Sequence, residues 1–357
     1  MKKLKIMFTG GGTAGHVTPN IALIEYFQNL GWDIVYVGSR SGIEREIIAN
    51  SGVRYFGIAS GKLRRYFDWA NFVDPARIFW GCLQSIYISF RERPNILFSK
   101  GGFVTVPVVF SAWLLRIPVI SHESDVTPGL ANRLCYPFVK KLCLNFPETK
   151  KYLRGDKAVI TGTPIRRSLL NGRSQRGLDL LSFSQDKPVI LFFGGSLGAS
   201  SINQVVRDSL DRLLTRYQVV HVAGPGNLDK NIDSPGYLQR EFLYEDFGDI
   251  LAAASVVVSR AGANSIYELL ITRKPHILIP LSARASRGDQ LVNAATFAAK
   301  GYSSVLLESN FTSASLTKLI DKVYNDREII VQQIKNFQIV DSVGTIGSLI
   351  EATVNER

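Results

Sequence analysis

Lys5-Ile6-Met7-Phe8-Thr9-Gly10-Gly11-Gly12-Thr13-Ala14-Gly15-His16 and Val189-Ile190-Leu191-Phe192-Phe193-Gly194-Gly195-Ser196-Leu197-Gly198-Ala199 share one plan: an apolar run that breaks into glycines. A continuous apolar run of this length reads as a strand buried on both faces, the environment of a parallel sheet. Working outward, similar runs recur at 33–38, 95–99 and 118–121 in the first half, and at 219–224, 255–259 and 276–280 in the second. Helix-like stretches separate them. This alternation predicts doubly wound α/β sheets, and the two glycine-terminated openings suggest two similar domains. A length of 357 residues agrees, because single cores stop growing at roughly 250–300 residues. The turn Gly162-Thr163-Pro164, following the strand-like 157–161, is the expected joint. The domains are then 1–161 and 162–340, with a last helix at about 341–357 capped by Asp341 or Ser342. Periodicity leaves open which domain that helix joins.

With 46% hydrophobic and 20% charged residues the chain is globular. Cys82, Cys135 and Cys143 form neither a disulfide framework nor a zinc spacing, which suggests a reducing compartment. The apolar stretch after Lys2 and Lys3 is too short for a signal peptide and reads as the first strand. The longest apolar stretch, 103–120, carries Arg116 and Pro118, so no membrane span is expected. A formal charge of +12 favours an anionic partner: a phosphate ligand, an acidic lipid or nucleic acid.

Four strand-to-glycine junctions carry the functional signal: 10–16, 100–103, 194–199 and 259–263. Glycine after a strand lets a ligand approach the backbone, and the amides of the next helix attract phosphate oxygens. Close packing alone would explain any one junction, but four are harder to attribute to it. Thr18 and Pro19 are expected as N-cap and first helical residue after the first loop, with Gly31 at the far end. Gly10, Gly12 and Gly15 also match G-x-G-x-x-G, so a dinucleotide enzyme must be weighed. That fingerprint wants an acidic residue ending the second strand, where this chain has Val37-Gly38-Ser39-Arg40. Arg40 keeps an NADP-linked oxidoreductase in view, and a basic non-enzymatic binding protein is a further alternative.

Gly10–His16, Ser99–Pro107, His122–Arg133, Gly162–Ser168, Gly194–Gln204, Ser259–Glu268 and Asp289–Ala294 fall in the order of the signature stretches of the MurG family. The chain resembles these undecaprenyl-diphospho-muramoylpentapeptide β-N-acetylglucosaminyltransferases from Lys5 to about Gly301. The resemblance implies the GT-B fold, two Rossmann-like domains facing a cleft, with the last helix returning to the first domain. It implies transfer of GlcNAc from UDP-GlcNAc to the polyprenyl-diphosphate acceptor lipid I, giving lipid II for peptidoglycan. It also implies site roles. Glu268 would accept from both ribose hydroxyls, as a carboxylate can. Ser196 would bond a UDP phosphate, Arg166 would lie beside the uracil, and the Tyr244 backbone would read the base edge, with Arg260 and Ala263 at the same nucleotide junction. Gln290 would face the GlcNAc hydroxyls with Asn293 near it on one helix face. Thr13, Ala14 and Gly15 line the acceptor-side loop, and Asn132 ends the loop oriented by His122 and Glu123.

His16 is the candidate base, although it could equally donate to the lipid diphosphate or cap the turn. Many members read His-Glu-Gln-Asn where this chain has His122-Glu123-Ser124-Asp125. Asp125 cannot donate when ionised; it could accept from a sugar or act as the base, which keeps another glycolipid acceptor, such as diacylglycerol, open. Ala14 replaces a usual glycine. No D-x-D cluster stands at a strand end, so no metal or cofactor is expected, and amides, helix dipoles and Ser196 would meet the leaving charge. Residues 62–100 hold seven Lys/Arg against three acids: Lys62, Arg64, Arg65, Arg77, Arg91, Arg93 and Lys100. Tyr66, Phe67, Trp69, Phe72, Phe79 and Trp80 lie among them. Such mixtures suit an anionic membrane interface. Core, solvated surface or RNA contact would explain the pattern alone, but the motifs favour lipid over nucleic acid. The expectation is a peripheral protein on the cytoplasmic face of the cell membrane.

Overall fold

The computed structural model describes the chain except residues 1–2, 50, 62–69, 196–197, 244–245, 284–287 and 357, and the side chains of 70–75. It divides into two compact units, Met1–Arg166 with Val340–Arg357, and Arg167–Ile339. The division falls between Arg166 and Arg167, not at the Gly162 turn. Thr161 and Gly162 donate to the Leu144 carbonyl at 3.0 and 3.1 Å, which fastens the turn to the first unit.

The first unit holds seven parallel strands: β1 Lys5–Thr9, β2 Asp33–Ser39, β3 Arg54–Ile58, β4 Ile96–Ser99, β5 Val119–Glu123, β6 Lys141–Leu144 and β7 Ala158–Ile160. Their order is β3-β2-β1-β4-β5-β6-β7. Alternating side chains serve opposite faces. Ile6, Phe8, Ile34, Tyr36, Ile96 and Phe98 pack under the Thr18–Asn29 helix and the last helix, Ser342–Asn355. Met7, Val35, Val37, Leu97 and Val119 pack under the Ala70–Glu92 and Thr105–Leu114 helices. Each fully buried Phe or Leu contributes about 1.5–3 kcal/mol over an exposed one. The Thr18–Asn29 helix is preceded by Val17, so Thr18 is its first residue and not the expected cap. Gly31, at φ 75°, follows its end in the left-handed conformation that glycine adopts freely.

The last helix joins the first unit. The Asp341 carboxylate accepts from Gly344 N at 3.1 Å, while Ile346 and Ile350 enter the core and Tyr26 donates to Glu351 at 3.0 Å.

The second unit has six parallel strands: β8 Val189–Phe193, β9 Gln218–Val222, β10 Tyr237–Arg240, β11 Ala254–Ser259, β12 His276–Leu278 and β13 Ser304–Val305. They run in the order β10-β9-β8-β11-β12-β13. Ile190, Phe192, Val219, Val256, Val258 and Ile277 meet Ile202 and Val206 of the Ser200–Arg207 helix and Leu316, Ile320 and Val323 of Ser313–Asn325. Sequence patterning missed β3, β6, β10 and β13. Three of these are sheet edges, where polar residues are allowed, and β6 has only four residues.

Candidate active site

Each sheet reverses its strand order once, between β1 and β4 in the first unit and between β8 and β11 in the second. Open α/β sheets bind ligands beyond the carboxyl ends of strands at such a switch point. The four glycine junctions follow β1, β4, β8 and β11, so each switch point receives two of them.

At the first, Gly11 N donates to Gly101 O at 3.3 Å and Lys100 N to Thr9 O at 2.9 Å. Gly101 and Gly102 have φ of 96° and 91°, and a Cβ on Gly102 would fall on the Gly11 carbonyl. Two loops pressed this closely need glycine for both conformation and space. Thr13, Ala14 and Gly15 run into a 3₁₀ turn ending at His16, and Thr13 Oγ1 lies 3.0 Å from His16 Nδ1, which orients the ring. The His16 ring borders Gly101, whose other neighbour is the Asn132 amide. Of the four histidines only His16 is not buried. Burial pushes His221 and His276 down to about 4, and both bond through both ring nitrogens within the fold.

Two residues that sequence reasoning passed over shape this loop. Buried Glu44 accepts from Gly12 N at 3.2 Å, Ser39 N at 2.8 Å and Ser39 Oγ at 2.5 Å. Its carboxylate occupies the amide that a dinucleotide pyrophosphate would approach, which argues against the NADP alternative. Asn20 donates to Tyr36 Oη at 3.2 Å, and Tyr36 in turn donates to Gly10 O at 2.9 Å. Both partners are distant in sequence and neither belongs to a motif.

Beyond β5, Glu123 takes Asp125 N at 3.0 Å, Gly129 N at 2.8 Å and Asn132 Nδ2 at 2.8 Å, closing the Ser124–Asn132 loop on one carboxylate. Asn132 Nδ2 also reaches His122 O at 3.0 Å, while its buried Oδ1 has no partner in the fold. That acceptor faces Gly101 and is suited to a ligand hydroxyl or N–H. His122 donates through Nε2 to Gly162 O at 2.8 Å, and its Nδ1 lies 2.9 Å from Lys100 Nζ. Burial and the neighbouring Lys100 hold His122 well below its usual pKa, so it is a neutral strut. Lys100 was expected in a surface patch and is instead fully buried, with Ser124 Oγ as a second acceptor.

At the second switch point, Gly194 and Gly195 follow β8, and Gly198 at φ 75° lies against the Ala223 carbonyl. Ser196 and Tyr244 lie outside the described residues. Ala263 begins the Ala263–Ile271 helix after β11, with half-buried Glu268 one and a half turns along it. Arg260 is committed to the fold: it bonds Ile279 O at 3.2 Å, Ser201 Oγ at 2.9 Å and Glu308 at 2.7 Å. Burial raises the Glu308 pKa, but bonds from Arg260 and Ser282 N outweigh it and leave a net lowering. Gln290 Oε1 accepts from Leu281 N at 3.0 Å, and Asn293, fully buried, donates to Ala261 O at 3.3 Å. The two amides therefore differ: Asn293 braces the glycine junction after β11, whereas Gln290 is half-buried at the start of its helix. Arg166 is half-buried and ends the first of the two segments that make up the first unit.

The expected membrane stretch is only partly described: Lys62, Arg64, Arg65, Tyr66, Phe67 and Trp69 lie outside the described residues, as does the side chain of Phe72. The rest of the Ala70–Glu92 helix carries Phe79 (66% exposed), Trp80, Leu83, Tyr87 (63%) and Phe90 (62%) on one outer stripe, flanked by Arg77 and Arg91. The Thr105–Leu114 helix beside it adds exposed Phe110, Trp113 and Leu114. Sequence reasoning had named neither Tyr87 nor Phe90.

Two doubly wound sheets, each with paired glycine loops at its switch point, are the architecture of the GT-B class. Residues 6–143 match the glycosyltransferase family 28 N-terminal domain and 189–343 its C-terminal domain. A UDP-N-acetylglucosamine–N-acetylmuramyl-(pentapeptide) pyrophosphoryl-undecaprenol N-acetylglucosamine transferase of Clostridium botulinum (Loch Maree) is 50% identical over 97% of this chain and 98% of its own. A protein of the same name from Clostridium kluyveri is 51% identical over 97% and 99%. The chain belongs to this MurG family of glycosyltransferase family 28. The crystal structure of Acinetobacter baumannii MurG shares its fold, with a TM-score of 0.77 over 98% of this chain and 99% of that one at 23% identity. A Listeria monocytogenes protein described as a UDP-N-acetylglucosamine 2-epimerase has the same architecture at a TM-score of 0.67 and 13% identity.

Proposed function

We propose that the chain transfers GlcNAc from UDP-GlcNAc to lipid I, the undecaprenyl-diphosphate-linked muramoyl-pentapeptide, with inversion at the anomeric carbon. The observation that carries this reading is the pairing of glycine loops at both switch points, in a chain half identical to transferases of that name. The second unit takes the nucleotide. Amides of the loop after β8 and the N-terminus of the Ala263–Ile271 helix meet diphosphate charge, and Glu268 accepts from the ribose hydroxyls. Gln290 turns its amide towards the sugar, with Ser196, Arg166 and the Tyr244 backbone on the phosphate and uracil.

The first unit takes the acceptor. Its hydroxyl attacks C1 opposite the departing UDP, and its proton passes to His16, the one histidine not locked into the interior. Asp125 is the alternative acceptor of that proton, and Asn132 Oδ1 positions the attacking sugar. The outer stripe of the Ala70–Glu92 helix rests at headgroup level, where aromatics sit at the interface and each nearby Arg adds about 1 kcal/mol against anionic lipid. No helix among the described residues is long and apolar enough to cross a membrane. In this reading the site meets its lipid acceptor from a peripheral position through that outer stripe, on the cytoplasmic face where nucleotide sugars are made available.

The test is incubation with labelled UDP-GlcNAc and vesicles carrying either lipid I or diacylglycerol. Label should move to lipid I. Transfer to diacylglycerol instead would refute the acceptor assignment while keeping the donor half.

A further inference from the structure

The bonds around Lys100 form a continuous line: Ser124 Oγ, Lys100 Nζ, His122 Nδ1, His122 Nε2 and Gly162 O. It starts in the Ser124–Asp125 turn, passes through Lys100 at the head of the glycine loop after β4 and ends on the segment by which the chain leaves the first unit. Lys100 is fully buried, an expensive place for an ammonium unless a negative charge stands near it. Four titratable groups face it: His122, Glu123 and Asp125 from β5 and its loop, and Cys143 from β6. His122 is neutral. The Cys143 thiol is pushed up to about 12 by burial and carries no charge. Glu123 is met by three N–H donors of its own loop. Negative charge reaches the buried cation from Glu123 first and from Asp125 second.

We infer that Lys100 is a positioning residue for the transfer reaction: it holds the Ser124–Asp125 turn through Ser124 and ties that turn through His122 to Gly162, so that lysine, serine and histidine act as one unit. The inference rests on the functional reading above.

Burial lowers Lys100 to about 8, with Glu123 and Asp125 opposing the shift. Below that value the ammonium is intact; as pH rises through it the turn loses its cation and transfer should fall. Stability moves the other way. Lys100 releases its proton in the fold before it does in the unfolded chain, whose ordinary value is 10.5. From about 8 to 10.5 its contribution therefore favours the fold increasingly as pH rises. A high-pH loss of activity without a matching loss of melting temperature separates this device from unfolding.

The experiment is Lys100→Met in two backgrounds, the native loop and Ser124→Gln/Asp125→Asn, with kcat/KM for transfer to lipid I, its pH profile, UDP-GlcNAc affinity and melting temperature. In the native loop, Lys100→Met should cost about 30-fold or more in kcat/KM, and in the amide loop about 5-fold or less. UDP-GlcNAc affinity should stay within about threefold throughout, because the glycine junctions and Glu268 assigned to the donor lie in the other unit. The high-pH limb near 8 should disappear in the triple variant. Equal losses in both backgrounds, or a native-loop loss under about threefold, would overturn the inference. If wild-type protein binds UDP-GlcNAc and transfers to no lipid acceptor, the functional reading fails by itself and the melting cycle decides. Lys100→Met should then lower the melting temperature by about 3 °C or more beyond its effect in the amide loop, and an equal shift in both overturns the pairing.

Discussion

Glu44→Gln and Glu44→Ala test whether the first glycine loop is built on a buried carboxylate. Glu44 Oε1 holds Ser39 N and Ser39 Oγ, and Oε2 holds Gly12 N. Glutamine keeps one oxygen for Ser39 but turns an NH2 towards the Gly12 N–H, so a charge-assisted bond of about 1.5–3 kcal/mol is lost. Alanine leaves two backbone N–H groups unpaired at about 1–3 kcal/mol each, about 2–6 kcal/mol together, while the Ser39 hydroxyl can rotate to another acceptor. The molecule offers a selective reporter: its four tryptophans, Trp32, Trp69, Trp80 and Trp113, all belong to the first unit. Urea unfolding followed by tryptophan fluorescence should therefore show the midpoint falling in the order wild type, glutamine, alanine. Circular dichroism, which also sees the second unit, should shift less. Wild-type stability in Glu44→Ala, within about 1 kcal/mol, would mean that the loop does not depend on this carboxylate.

Glu268→Ala should weaken UDP-GlcNAc by about 1.5–3 kcal/mol through the lost ribose bonds, read by calorimetry; unchanged affinity would remove Glu268 from the nucleotide site. Replacing Phe79, Trp80, Tyr87 and Phe90 together by serine should release the protein from anionic vesicles and leave UDP binding intact, since these rings are exposed and belong to the first unit. Salt should weaken only the share due to Arg77 and Arg91, because exposed charges are screened over about 8 Å at physiological ionic strength. Vesicle binding that survives the quadruple change would move the contact elsewhere.

The site was legible where chemistry needs a local pattern. Gly10–Gly12, Gly101-Gly102 and Gly194-Gly195 announce close backbone approach, and the Ala263–Ile271 helix with Glu268 follows directly on its strand. It was illegible where a side chain acts across the sheet. Lys100 reads as one more cation in a basic stretch, yet it follows an interior strand and has no solvent to reach. Arg260 and Asn293 stand out in the sequence as candidate ligand contacts, but nothing in their spacing announces the bonds to Glu308 and Ala261 by which they also brace the loops.

Apolar runs ending in glycine determined by themselves that the chain forms two parallel α/β sheets with glycine loops at their strand ends, because burial on both strand faces and positive φ are properties of consecutive residues. Strand order, and with it the meeting of the β1 and β4 loops and of the β8 and β11 loops, was decided only in three dimensions. The same holds for the Lys100–His122–Gly162 line and for the Glu44 carboxylate on Gly12. These contacts join residues 22 to 40 positions apart, and their bond energy depends on distance and burial, which no spacing in the sequence records.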